Sequence, residues 1–507
     1  SQTPRGRLQT PVQAAMRLLR ATLLVAAACS LQLPTRKHMI KTNRYATTTD
    51  ETPAQLAEER RTWRRRKRSE VLVFAAPALS TVLADPLMSM FDALVCGRSC
   101  STLEFASLGP ALAVFNFVNY GFFFLNAATT VNVAAALARD NKKAATETLS
   151  GSITVAALCG LAVAALLVGG GPRVVQLTGC VPELIPRSTA YLRVRAVGSP
   201  VVLASMVAQA GLLAQRDSAT PLRAVSMACV LNIVGDLLLV PKLGAVGAAW
   251  ATLFSQAACL PYLLWLSRKR DRLPVKLRLP TKEAASSLFK AAKPLFVFEM
   301  GLSVCYGVIQ SMGTQFSVAA TAAFQALWNP TTFLTFVTYP LKQAAAVFLP
   351  ALASERPEDV GGRPKTQQFL LMLMTCAWPL GLLLGGASYA CANAPHVFAR
   401  DRSLDATIRS FGPLVAGAAC LLPFVQISEG TLLGTGDLGF LSRTQILNTA
   451  TAVATFFLTK RAGMGVRGTF AVLGAFYMSR LAQGLLRVFV FRPPWCEDAD
   501  DGRACVV

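Results

Sequence analysis

Apolar runs of roughly twenty residues recur along this chain from Glu70 onward, and they leave it few folds to choose from. A run of that length crosses hydrocarbon as a helix rising about 1.5 Å per residue. Inside lipid every backbone N–H and C=O must find its partner within the segment, which favours helices. About twelve such runs fall between residues 70 and 491. Only 15% of the 507 residues are charged and 53% are hydrophobic, whereas a soluble chain carries about 25% charged residues. We read the chain as an all-α polytopic membrane protein, with the lipid bilayer as its first partner. The net charge of +23 would also suit a nucleic-acid binder. The basic residues, however, cluster in the leader and in loops between apolar runs, the pattern of inward-facing loops. Nucleic acid is therefore excluded as a partner.

The organisation follows from the same pattern. Residues 1–69 form a basic leader. Within it Met16–Arg20 and Ala21–Ala28 read as a basic region and a short apolar core, and Ser30–Thr49 has several bases and threonines but no acid. That resembles the two-part address of algae with secondary plastids, which would lead to the plastid envelope; an ordinary secretory signal or a disordered basic tail accounts for the same residues equally well. The basic cluster Arg60–Arg68 holds the N-terminus on the cytosolic or stromal side. A six-helix lobe is expected over 70–268, a basic linker over 269–283, a second six-helix lobe over 284–491 and a tail over 492–507. The lobes look like copies of one another. Leu212-Leu213 with Asp217 returns as Leu432-Leu433 with Asp437, and Gly244-Ala-Val-Gly247 as Gly465-Val-Arg-Gly468. Ala75-Ala76-Pro77 likewise returns as Ala292-Lys293-Pro294. Internal repeats of this kind build transporters whose binding site lies near the midplane.

Charges inside the spans carry the chemistry. The first span, Glu70–Arg98, holds Asp85 and Asp92 together with Pro77 and Pro86. A carboxylate at that depth costs on the order of 3 kcal/mol on insertion scales and calls for a partner or a wet cavity. A proline frees a backbone carbonyl and bends the helix. Asn232 and Asp236 are four residues apart, hence on one helical face. If Asp92 and Asp236 approach each other, two like charges in low dielectric resist ionising together. A proton or Na⁺ would relieve them. Glu299, Arg193, Arg195 and Lys342 also fall inside spans, as gate or substrate-binding candidates or as structural ion pairs. The two histidines exclude a His-rich metal centre, and most of the thirteen cysteines lie in apolar runs. Cys96 and Cys100 share a short loop and could pair.

Several motifs resemble one family in order. These are DPLMSMFDALVCGR followed by LEFASLGPALAVFNFV, then YLRVRAVGSP, LNIVGDLLLV with GAVGAAWATLFSQ, AAFQALW and EGTLLGTGD. Together they resemble the multidrug and toxic compound extrusion (MATE) family, in its DNA-damage-inducible F-like and plant plastid branch. The resemblance covers roughly 70–490 and implies two six-helix lobes and an antiporter driven by inward H⁺ or Na⁺. In this sequence it makes Asp92 the first-helix acid, Pro77 the proline near which that helix bends, Asn232 and Asp236 the fifth-helix pair and Thr252 a sixth-helix hydroxyl. Gln325 becomes the polar residue of the eighth-helix A-A-x-Q motif. Phe324 stands where many members carry His, Gly235 where a larger residue is usual, and Leu237 where proline is common.

The resulting expectation is a monomeric, non-enzymatic antiporter exporting a small organic compound, with H⁺ or Na⁺ as coupling ion and no other cofactor or structural metal. A lipid-linked sugar flippase of the same superfamily is the nearest alternative. An intramembrane aspartyl protease is a more distant one. Gly434-Thr435-Gly436-Asp437 is literally a G-x-G-D string, but no Tyr-Asp exists to supply the second acid.

Overall fold

The computed structural model describes residues 53–490 apart from 179–181, 270–271, 276–278, 314–323, 325–326, 329–332, 355–363, 395–404 and 464. The described residues are helical almost throughout. In chain order the helices are α1 (Pro53–Ser99), α2 (Thr102–Tyr120), α3 (Phe123–Ala138), α4 (Lys142–Gln176), α5 (Ile185–Val197), α6 (Ser199–Ala214) and α7 (Ala219–Leu243). There follow α8 (Ala245–Lys269), α9 (Lys282–Gly313), α10 (Tyr339–Ser354), α11 (Lys365–Asn393), α12 (Asp405–Gly434), α13 (Leu438–Arg461) and α14 (Gly465–Leu485). Among the described residues 8 helices are long and apolar enough to cross a membrane, or 9 when α5 and α6 count as one span bent by 49°. This is an integral, multi-pass membrane protein. The sequence reads 183–214 as a single span; the structure breaks it at Gly198-Ser199-Pro200, where α4 comes so close that a side chain on Gly160 would strike Pro200.

The chain divides into two compact units, Val71–Glu299 and the combination of Ser1–Glu70 with Met300–Val507. In the first, one apolar cluster packs α3, α4, α6, α7 and α8 around Leu149, Ile153, Val207 and Leu263. The linker docks there through Leu273 and Val275, so it is a strap across this unit. A second cluster joins the end of α1 to α2, α4, α5 and α8 through Cys96, Phe115, Leu167, Tyr191 and Ala248. In the other unit Phe348 stacks on Phe369 at 5.8 Å, and the Arg64 fork of α1 donates to Gln368 Oε1 at 2.9 and 2.6 Å. The leader up to residue 52 and the tail from 491 lie outside the described residues.

The repeat seen in the sequence reappears as two matching turns. Asp217 N–H donates to Leu212 O at 2.9 Å, and Asp437 N–H to Leu432 O at 3.0 Å. The residue before each aspartate adopts positive φ, 60° at Arg216 and 78° at Gly436. The second copy has glycine where the first forces an arginine into that left-handed region. Each aspartate then caps the next helix, Asp217 accepting from Thr220 N–H at 3.0 Å and Asp437 from Phe440 N–H at 3.4 Å. Each also holds an arginine just beyond a later helix, α8 for Asp217 and α14 for Asp437. Arg272 lies 2.8 Å from Asp217, and Arg487 lies 2.6 Å from Asp437.

The first latch has a pH signature. Burial alone would raise the Asp217 carboxyl, but the Thr220 hydroxyl and N–H and the Arg272 guanidinium outweigh it and hold the group below its ordinary value. A depressed folded value means the stabilisation is complete above the unfolded carboxyl's pKa of about 3.9 and is lost as pH falls through the folded one. Asp217→Asn is therefore expected to cost about 1 kcal/mol at neutral pH, and that gap should close on acidification below about pH 4. Thermal unfolding of both proteins in detergent across that range checks it; a gap that widens in acid contradicts it.

Candidate ion-coupling site

Four elements converge in the Val71–Glu299 unit. The penultimate turns of α1 present Asp92, α7 presents Asn232 and Asp236 one turn apart, α8 presents Thr252, and α5 brings Arg195. The first four are all buried, with 7%, 0%, 0% and 2% of their surfaces exposed. Asn232 Nδ2 donates to Thr252 Oγ1 at 3.3 Å. The Thr252 hydroxyl has a single proton for two acceptors, its own Ala248 carbonyl at 2.8 Å and Asp92 Oδ2 at 3.5 Å. Through Thr252 the Asp92 carboxylate stands against the face of α7 that carries Asn232 and, one turn on, Asp236. Among the described residues Asp92 Oδ1, both Asp236 oxygens and Asn232 Oδ1 have no hydrogen-bond donor. Buried acceptors left this way cost roughly 1–3 kcal/mol each, more when charged. Such a group of oxygens has the chemistry to take a proton or a hard monovalent cation.

The close approach of α7 to α8 depends on a missing side chain. A Cβ on Gly235 would lie 2.8 Å from Ala251 Cβ and 3.2 Å from its Cα. Gly235 sits between Asn232 and Asp236, and Ala251 adjoins Thr252, so the contact sets the spacing across the site. Small residues at helix crossings allow this in membranes. Gly235→Leu should cost about 1–3 kcal/mol by overpacking and separate Asn232 from Thr252. Thermal unfolding and transport measured together test this, and unchanged values in both would contradict it.

The other unit holds a buried centre of different character. Glu429 on α12 accepts from Arg480 of α14 through both Nε, at 2.8 Å, and Nη2. Lys342 Nζ of α10 lies 3.4 Å from its second oxygen. Arg480 also stacks over Phe476 at 4.9 Å, and its Nη1 lies 3.5 Å from the Tyr306 hydroxyl. Beside it Asn448 and Gln483 exchange amide hydrogen bonds at 3.0 and 3.1 Å, with Ser479 donating to Asn448 Oδ1 at 2.8 Å. Here the acid already has two fixed cations. The sequence analysis missed Glu429 and Arg480, although each is a charge inside an apolar run and so carried the signal that found Asp92.

The MatE family model matches residues 77–238, which contain α1 from Pro77 and the Asp92, Asn232 and Asp236 group. The chain is 29% identical over 424 residues to Protein DETOXIFICATION 47, chloroplastic, of Arabidopsis thaliana, covering 83% of this chain and 77% of that one. Over those residues the chain resembles the MATE family. It is also 24% identical over 273 residues to DNA damage-inducible protein F of Escherichia coli, covering 53% of this chain and 59% of that one. A solved MATE in complex with MaD5 shares the fold at a TM-score of 0.73 and 18% identity, over 87% of this chain and 99% of that one. These likenesses are to transporters, which supports membrane efflux transport rather than enzymatic catalysis.

The residues expected from the sequence separate into groups. Asp92, Asn232, Asp236 and Thr252 come together. Arg195 lies beside them: its guanidinium is 4.5 Å from the ring centre of Phe115, which packs with Cys96, one turn beyond Asp92. Arg193 does not; it is exposed and donates to Val168 O at 3.1 Å. Helix α1 runs unbroken through Pro77 and Pro86, with Thr81 Oγ1 donating to the Pro77 carbonyl at 2.9 Å. Glu299 is half-buried on α9. The side chains of Asp85 and Pro86 and the whole of Gln325 lie outside the described residues. Phe324 is fully buried and stacks on Trp328 at 5.3 Å, an apolar contact where many MATE members carry histidine. Cys96 and Cys100 are free thiols, so the pairing considered from the sequence is not made.

Proposed function

We propose that this protein is a secondary active antiporter that exports a small organic compound in exchange for H⁺ or Na⁺ by alternating access. The observation that carries the reading is the set of donorless oxygens on Asp92, Asp236 and Asn232 in a buried pocket beside Thr252. One ion bound there relieves the repulsion between the two carboxylates; its departure restores it. The site thus has two states of different energy, and cargo binding selects between them. Pro77 and Pro86 place the compliance in α1, the helix that carries Asp92. The other unit's acid is held by Arg480 and Lys342, which favours coupling on the Asp92 side.

Chloroplastic relatives and the leader's composition favour a plastid envelope membrane, and the plant branch favours organic acids, phenolics or drug-like compounds as cargo. The expected working form is a monomer. A screen of organic cations, organic acids and phenolics in proteoliposomes, under separate H⁺ and Na⁺ gradients, tests the reading. At least one compound should be driven by one of the two gradients. Transport of active compounds at rates indifferent to both would overturn antiport.

A further inference from the structure

A permanent positive charge lies beside the acids of the proposed ion site. Arg195 lies one helical turn beyond Tyr191 on α5, stacked over Phe115, and its buried Nε has no hydrogen-bond partner. It is therefore not committed to a neighbouring carboxylate or carbonyl through that atom. Phe115 packs in one buried cluster with Cys96, one turn beyond Asp92 on α1, with Tyr191 of α5 and with Ala248, one turn before Thr252 on α8, so the charged and titratable groups gathered there are the two acids, Cys96, Tyr191 and Arg195. The thiol and the phenol are neutral near pH 7, and guanidinium does not deprotonate in proteins. With both acids ionised the group carries one net negative charge, and with one monovalent cation added it carries none.

We infer that Arg195 sets the exchange at one H⁺ or Na⁺ per cycle, by neutralising one of the two carboxylates for good. A second ion would leave the buried group positive, which low dielectric resists as strongly as it resists the paired anions. Without Arg195 the same two acids would hold two cations. This inference rests on the assignment of Asp92 and Asp236 as the ion site and adds the count and the residue responsible for it.

The count is measurable without knowing the cargo. Purified protein is titrated from about pH 9 to about pH 5, proton uptake is recorded, and the curve of the Asp92→Asn/Asp236→Asn double variant is subtracted. Radioactive sodium binding is measured the same way by equilibrium dialysis at the alkaline end. The wild type should differ from the double variant by one cation in total, Arg195→Lys by one, and Arg195→Gln by two. Asp92→Asn alone, in which Arg195 balances the remaining acid, should take none. A wild-type difference of two, or Arg195→Gln still reading one, overturns the role of Arg195. A wild-type difference of zero instead removes the ion site itself. The wild-type and Asp92→Asn counts keep the test decisive should Arg195→Gln fail to elute as a single species.

Discussion

Asp92→Asn and Asp236→Asn are each expected to abolish gradient-driven export while the protein still inserts and folds. Asparagine matches aspartate in shape but carries no titratable charge, so the contact of residue 92 with Thr252 is kept while the ion's counter-charge is lost. A tenfold gradient of one monovalent ion supplies about 1.4 kcal/mol, enough to sustain a tenfold cargo gradient. Either variant should therefore still let labelled cargo equilibrate or block it altogether, but never accumulate it. Accumulation in vesicles, with membrane insertion checked by size exclusion of the extracted protein, reads the outcome. Undiminished accumulation in both variants would remove the coupling assignment.

The second large effect is on stability and lies in the other unit. Arg480→Met should destabilise by about 3–5 kcal/mol, because it strands Glu429 with only Lys342 beside it in a dry interior. Glu429→Gln should do comparable damage by leaving Arg480 and Lys342 as neighbouring cations without their acid. The double variant Arg480→Met/Glu429→Gln should recover much of the loss, since a buried pair removed whole costs far less than one partner left behind. Thermal unfolding in detergent compares the three. Strictly additive losses would mean the two side chains do not act as a pair.

How far the sequence could be read depended on whether a signal is local. Lipid allows few charges, so Asp92 and Asp236 were visible as rare acids in apolar runs, and helical spacing put Asn232 on the same face as Asp236. The matched turns at Asp217 and Asp437 were visible because a repeated turn repeats its residues. Three features depended on contacts between distant segments and were not. Glu429 lies within a motif noted for its likeness to the family, but whether an acid in a span is paired depends on a residue such as Arg480 on another helix. Arg193 and Arg195 are two residues apart and look alike in the sequence; only the packing of α5 sends one outward to Val168 and the other over Phe115. The linker read only as a basic connector, yet its Leu273 and Val275 bury against the α6 and α8 cluster. Gly235 was noticed as a departure from the family, and its meaning appeared only with Ala251 opposite it.

The most direct test of exchange is to reverse the ion gradient across one set of proteoliposomes while cargo concentrations on the two sides are held equal. Two solutes sharing a site by turns predict that net cargo flux changes sign with the ion gradient, and that it vanishes when the gradient is collapsed. Cargo that keeps its direction whatever the sign of the gradient would contradict the account.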